Sequence, residues 1–268
     1  PLETVNFIKD APGATREINR WVKKQTRDRI RDLIPDGGLT AASRLVLVNA
    51  MYLKSSWADE FTESATRHEP FRVNGGEAVA VPMMQTRQHL GYVDGGGFQA
   101  VTLPYAGRGL HFLLIVPDKV NGLASAEAAL TPKVLASCAK AKSREVILHL
   151  PKFKITPPTM DLGESLQKMG MTTAFDSPRG SADFDAMAPK KPTDYLCISS
   201  VFHQTFLALD EKGTEAAAAT AVAMPGSVGI VPEREKPVEL RADRPFLFAI
   251  QHVESGACLF LGRVTDPR

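Results

Sequence analysis

Glu211-Lys212-Gly213-Thr214-Glu215-Ala216-Ala217-Ala218-Ala219-Thr220-Ala221-Val222-Ala223, followed by an irregular run from Met224 to Pro237, is the stretch whose reading decides the fold. Alanine is the best helix former, so one reading is an exposed helix. Such a helix would have no large apolar face to dock, and helices in proteins persist mainly through a packed face. Read as a strand, the stretch sorts into two sets: Thr214, Ala216, Ala218, Thr220 and Val222 point one way, and Glu215, Ala217, Ala219, Ala221 and Ala223 the other. The first set is small and uncharged, so it can be buried without stranding a charge. Gly213, which tolerates unusual dihedrals, is the natural pivot for a segment that slides between two strands.

At these residues the chain resembles the serpins. An acidic residue, a second polar residue, Gly, Thr, any residue and four small residues form the hinge of inhibitory members, and Glu211 to Ala219 fits throughout. Leu240-Arg241-Ala242-Asp243-Arg244-Pro245-Phe246-Leu247-Phe248-Ala249-Ile250 is similar to the C-terminal signature of the family at every position. Asn49-Ala50-Met51-Tyr52-Leu53-Lys54-Ser55-Ser56-Trp57 resembles a third family motif, with Ser55 where Gly is usual.

The resemblance implies an α+β serpin fold: a large mixed sheet, further sheets, surrounding helices and an exposed reactive loop at about residues 211–237. It covers nearly all of this chain but only the later two thirds of the family domain, so residues 1–268 are expected to be a single serpin domain lacking its N-terminal helices and strands. It further implies a hinge of Glu211, Gly213, Thr214, Glu215, Ala216, Ala217, Ala218 and Ala219. Asn49 is expected in the polar cluster where the sheet opens, hydrogen-bonded by His203. Trp57 is expected as a lid where the loop enters, and Lys152 as the partner of Glu211. From the residues alone, Asn49 reads equally as a turn residue, Trp57 as a core aromatic and Lys152 as a solvated strand end. The function implied is inhibition of serine endopeptidases as a suicide substrate, by loop cleavage, hinge insertion and covalent trapping. The alternative is a non-inhibitory binding or storage protein that is cleaved as a simple substrate.

Counting fourteen residues on from Gly213, as is usual in the family, makes Ser227 the bait and places the scissile bond before Val228. Counting back from Arg244-Pro245 gives Gly229, and the window includes Met224, Pro225 and Gly226. None is Lys or Arg, so an elastase- or chymotrypsin-like protease is the expected partner rather than a trypsin-like one. The loop composition looks plant-like, and the resemblance places the protein, as a monomer, in the extracellular space, with the cytoplasm as the alternative.

Composition excludes other classes. The chain has 268 residues, 44% of them hydrophobic, which is ample for a sizeable core. Its net charge of +2 is too small to imply a nucleic-acid partner, and no apolar run is long enough to span a bilayer. Cys138, Cys197 and Cys258 are odd in number and widely spaced, which suits buried free thiols. There is no Gly-x-Ser-x-Gly, zinc motif or dinucleotide fingerprint, so neither an enzyme nor a bound cofactor or metal is expected.

Outward from the hinge, Ile198–Leu209 and Glu145–Ile155 read as strands, as do Leu45–Val48 (covered on both faces), Gln99–Leu103 and Leu110–Val116. Thr4–Phe7 reads as the tail of a strand. Asn74-Gly75 signals a hairpin, and Phe246–Val253 with Ala257–Val264 another. Leu123–Ala136 is a helix broken near Pro132, and Asp161–Met169 a further helix. Ala14–Ile34 has helical periodicity in Ile18, Trp21, Val22, Ile30, Leu33 and Ile34. Its polar face carries Arg16, Arg20, Lys23, Lys24, Arg27 and Arg31, interrupted by Glu17, Asp28 and Asp32, which reads as a solvated face before it reads as a polyanion site.

Overall fold

The computed structural model describes residues 4–73, 76–192, 194–215 and 236–268. In chain order its helices are α1 (Phe7–Gln25), α2 (Leu123–Ala129), α3 (Pro132–Ala139) and α4 (Gly163–Lys168). Its strands begin with β1 (Leu45–Tyr52), β2 (Ser55–Ser56), β3 (Arg67–Arg72), β4 (Ala78–Asp94), β5 (Phe98–Pro104), β6 (Leu110–Pro117) and β7 (Lys142–Pro151). They continue with β8 (Phe153–Ile155), β9 (Met160–Asp161), β10 (Ile198–Asp210), β11 (Gly213–Thr214), β12 (Val238–Arg241), β13 (Phe246–His252) and β14 (Cys258–Val264). The chain forms two compact units, one of residues 1–53 and 155–207, the other of residues 54–154 and 208–268.

In the first unit, β1 runs parallel to β10 with Asn49 opposite His203, and β9 pairs antiparallel with β10 at Phe202 and His203. Asn6, expected in a strand, instead caps α1, its side chain accepting the Lys9 N–H at 2.9 Å. The helix is shorter at its other end than periodicity predicts. Thr26 Oγ donates to the Val22 carbonyl at 2.9 Å and accepts the Ile30 N–H at 3.1 Å, while Arg27 and Asp28 take left-handed backbone, which stops the helix. Ile30, Leu33 and Ile34 are nonetheless buried, so the periodicity reported burial correctly and conformation wrongly. β1 also departs from expectation. Leu47 is 41% exposed, so among the described residues β1 is not covered on both faces.

The second unit is built on a sheet with strand order β12-β7-β4-β5-β6-β13-β14, and β3 pairs with the first part of β4. The β3–β4 pairing carries the register Arg72↔Ala78 that the hairpin signal implies, although Asn74-Gly75 itself lies outside the described residues. β6 is buried from His111 to Pro117, because α2 and α3 cover Leu113 and Ile115 while Phe112 stacks on Phe248 at 5.5 Å on the other face. The break expected near Pro132 is present, with α2 ending at Ala129 and α3 starting at Pro132; Thr131 caps the second helix, accepting from Val134 N–H. Cys138 is buried, but Cys258 is exposed on edge strand β14, against expectation; all three thiols are free. Among the described residues no helix is long and apolar enough to cross a membrane, and no cluster of His, Cys, Asp or Glu could hold a metal ion.

Candidate functional site

The site forms where β10 ends. Asp210 Oδ1 accepts the Lys212 N–H at 2.9 Å, a local turn that reverses the chain. β11 then doubles back on β10, with Asp210↔Gly213 and Leu209↔Thr214 in antiparallel register. The other edge of β11 is paired as well, with Gly213↔Ser56 and Thr214↔Ser55 on β2. Gly213 and Thr214 therefore already occupy a slot between two strands. Gly213 has φ +141°, and a Cβ there would lie 2.3 Å from the Ser55 carbonyl oxygen, so glycine is required twice over.

The backbone carbonyls of the turn are met from the segment after β2. Trp57 donates its indole N–H to the Asp210 carbonyl at 2.9 Å, and its backbone N–H to the Lys212 carbonyl at 2.9 Å. Phe61 N–H donates to the Glu211 carbonyl at 2.9 Å. Trp57 is 3% exposed and lies flat on Tyr105, with ring centroids 4.7 Å apart at 9°. The Tyr105 hydroxyl is 2.6 Å from Thr214 Oγ1, and both side chains are sealed from solvent. Burial pushes the Tyr105 phenol well above its ordinary pKa, against the smaller lowering by Thr214, so it stays neutral.

Glu211 is a buried carboxylate, 6% exposed, and its two oxygens are matched: Lys152 Nζ at 2.8 Å and Thr66 Oγ1 donating at 2.7 Å. Burial by itself would raise its pKa. The Lys152 and Thr66 hydrogen bonds outweigh burial and hold the carboxyl below its ordinary range, so Glu211 is charged at neutral pH. Past Thr214 the path bends, with Glu215 in left-handed backbone at φ +47° and its N–H on the Ala208 carbonyl at 3.0 Å.

The structure thus brings Glu211, Gly213, Thr214, Glu215, Trp57 and Lys152 into one constellation. It does not join Asn49 to His203. They are register partners, but no hydrogen bond links them, and His203 Nδ1 is buried with no partner among the described residues. Asn49 lies exposed on β1. Ala216, Ala217, Ala218, Ala219, Met224, Pro225, Gly226, Ser227, Val228 and Gly229 lie outside the described residues. Sequence reasoning missed Tyr105, Thr66 and the Ser55–Ser56 strand. Nothing in spacing could link Tyr105 to a residue 109 positions on, although a lone Tyr ahead of a Gly-rich turn was a weak sign of a residue placed for its hydroxyl.

Comparison with known proteins gives the same picture. Residues 1–267 match the family model described as Serpin (serine protease inhibitor). The chain is 39% identical over 271 residues to Serpin B10 of Rhinolophus ferrumequinum, covering 99% of this chain and 65% of that protein. It is 36% identical over 275 residues to the leukocyte elastase inhibitor of Equus caballus, covering 99% and 70%. The crystal structure of uncleaved ovalbumin superposes with a TM-score of 0.81 at 29% identity, covering 99% of this chain and 66% of that one. The fold is accordingly the α+β serpin fold. These relatives are animal proteins, and they lend no support to the plant-like cast of the loop or to an extracellular location.

Proposed function

Because the chain belongs to the serpin family, we propose that it inhibits serine endopeptidases as a suicide substrate. The observation that carries this reading is the position of Thr214, paired on both edges, fully buried and hydrogen-bonded to Tyr105. A segment so placed has already begun to be a strand. In the reading, residues 1–268 act as one serpin domain with the reactive loop at about 211–237. The protease attacks the loop and becomes esterified to the bait residue. Cleavage releases the hinge side, and the residues after Thr214 add to the sheet by strand addition, carrying the acylated protease with them. Deformation of the protease active site before water reaches the ester leaves a covalent trap; slower insertion leaves hydrolysis. Asn49 and His203 are assigned to the sheet that must part, and Trp57 and Lys152 to the point of entry.

Ser227 is proposed as the bait, with Val228 after the scissile bond and Met224, Pro225, Gly226 and Gly229 in the same window. Small or unbranched residues there fit an elastase-like pocket, and a relative named leukocyte elastase inhibitor supports that class. The cytoplasm is the preferred compartment, since an exposed free thiol at Cys258 suits a reducing environment.

The test mixes the purified protein with elastase-, chymotrypsin- and trypsin-like proteases and runs denaturing gels with mass spectrometry of the released C-terminal peptide. A detergent-stable adduct, with a peptide beginning between Pro225 and Ile230, is the expected result. Clean loop cleavage with every protease still active would move the protein to the non-inhibitory class.

A further inference from the structure

The polar face of α1 is unlike the rest of the molecule in charge. Residues 9–31 carry eight Lys and Arg against three Asp and Glu, whereas the remaining residues carry 24 against 27. The small net charge of the chain thus hides a segregated one, and a local field depends on the distribution rather than on the sum. Arg16, Arg20, Lys23 and Lys24 fall within an arc of about 100° at 3.6 residues per turn, opposite the buried Val22. Arg27 follows just beyond the helix cap, and all five are exposed.

Neutralisation within the row is partial. Lys23 pairs with Asp28 at 3.4 Å, and Arg16 lies 3.8 Å from Asp10. Both pairs are solvent-exposed and weak. Arg20, Lys24 and Arg27 have no acidic partner among the described residues. A solvated helix face accounts for the exposure of these cations. It does not account for their gathering on one arc of the helix while the remaining residues carry 24 Lys and Arg against 27 Asp and Glu.

We infer that the α1 stripe Arg16–Arg20–Lys23–Lys24–Arg27 binds the phosphate backbone of nucleic acid without reading its sequence. The contacts are charge-assisted hydrogen bonds from guanidinium and ammonium groups to phosphate oxygens. Trp21 is half-buried in the same helix, and no exposed aromatic side chain stands in the row, so base stacking plays no part. Nucleic acid is preferred to a sulfated glycan because the free, exposed Cys258 fits a reducing compartment, where nucleic acids are the abundant linear polyanions. The inference is independent of protease inhibition.

The experiment is fluorescence anisotropy of the whole chain with a labelled mixed-sequence DNA duplex from 50 to 200 mM salt, repeated with an unrelated sequence and with fluorescent heparin. With three to five phosphates engaged, log K against log salt has a slope of about −3 to −4.5, and affinity falls about 60- to 500-fold over that range. The triple variant Arg20→Gln/Lys24→Gln/Arg27→Gln, all at exposed positions, flattens the slope by about 3 and leaves the circular dichroism spectrum unchanged. No binding at 50 mM salt, equal binding by the triple variant, or binding of heparin without DNA would each overturn the assignment.

Discussion

The hydroxyl groups of Tyr105 and Thr214 face each other at 2.6 Å in a site closed to solvent, with the indole of Trp57 stacked on the same phenol ring. Each hydroxyl is the other's partner, so removing one strands the other. Tyr105→Phe and Thr214→Val should each destabilise the protein by about 1–3 kcal/mol, and the double variant by less than the sum. Urea unfolding of the four proteins closes the cycle; strictly additive losses would show that the two groups are not coupled.

The same burial sets a prediction for trapping. Thr214→Arg places a charge where the side chain has no exposure at all, so the slot between β10 and β2 rejects it. The variant should be cleaved in the loop without forming an adduct, which gel analysis against the cognate protease reads directly. Unchanged trapping would sink the insertion reading.

Gly213→Ala meets both a left-handed φ and the Ser55 carbonyl oxygen. Conformational strain alone costs about 1–3 kcal/mol, and relief requires β11 to leave β2. Hydrogen exchange at Ser55, Ser56 and Thr214 should accelerate in this variant while the β5–β6–β13 core stays protected.

Glu211 links the site to pH. Its folded-state pKa is depressed, so its contribution is fully present above the ordinary carboxylate value of 4.5 and is lost as pH falls through the lower folded value. Lys152→Met removes a bond to the buried carboxylate while Lys152 itself is 37% exposed, so the loss at pH 7 should be about 1.5–3 kcal/mol. Without Lys152 the folded-state pKa of Glu211 moves up, so less stability is lost on acidification and the gap between variant and parent should narrow as pH falls. Melting temperatures from pH 7 to pH 4 test this; parallel curves would contradict it.

Much of this was legible in the sequence for physical reasons. The strands announced themselves where both faces are buried, as in β6 and β13, because continuous apolar runs leave few alternatives. Glu211 and Lys152 were read as partners only through family resemblance, since 59 residues separate them and neither has a local signature. The end of α1 was misread because Thr26 captures the Ile30 N–H and Arg27 and Asp28 turn left-handed, while the apolar spacing continues to Ile34. Asn49 and His203 were linked only through family resemblance, and they stand opposite each other in register without a hydrogen bond between them among the described residues. Tyr105 was invisible: its importance lies in one hydroxyl contact across 109 positions.

The two-residue strand β11 has a kinetic meaning. Starting a new strand is slow because chain entropy is lost before pairing repays it, and a slip of one residue would turn every inward side chain outward. With Gly213 and Thr214 seated between β10 and β2, that nucleus is laid down when the protein folds, and its phase is fixed by the Tyr105–Thr214 contact. In the proposed insertion, growth therefore proceeds from a seed with its parity already chosen, and its speed is set by how fast the sheet parts rather than by a search for alignment.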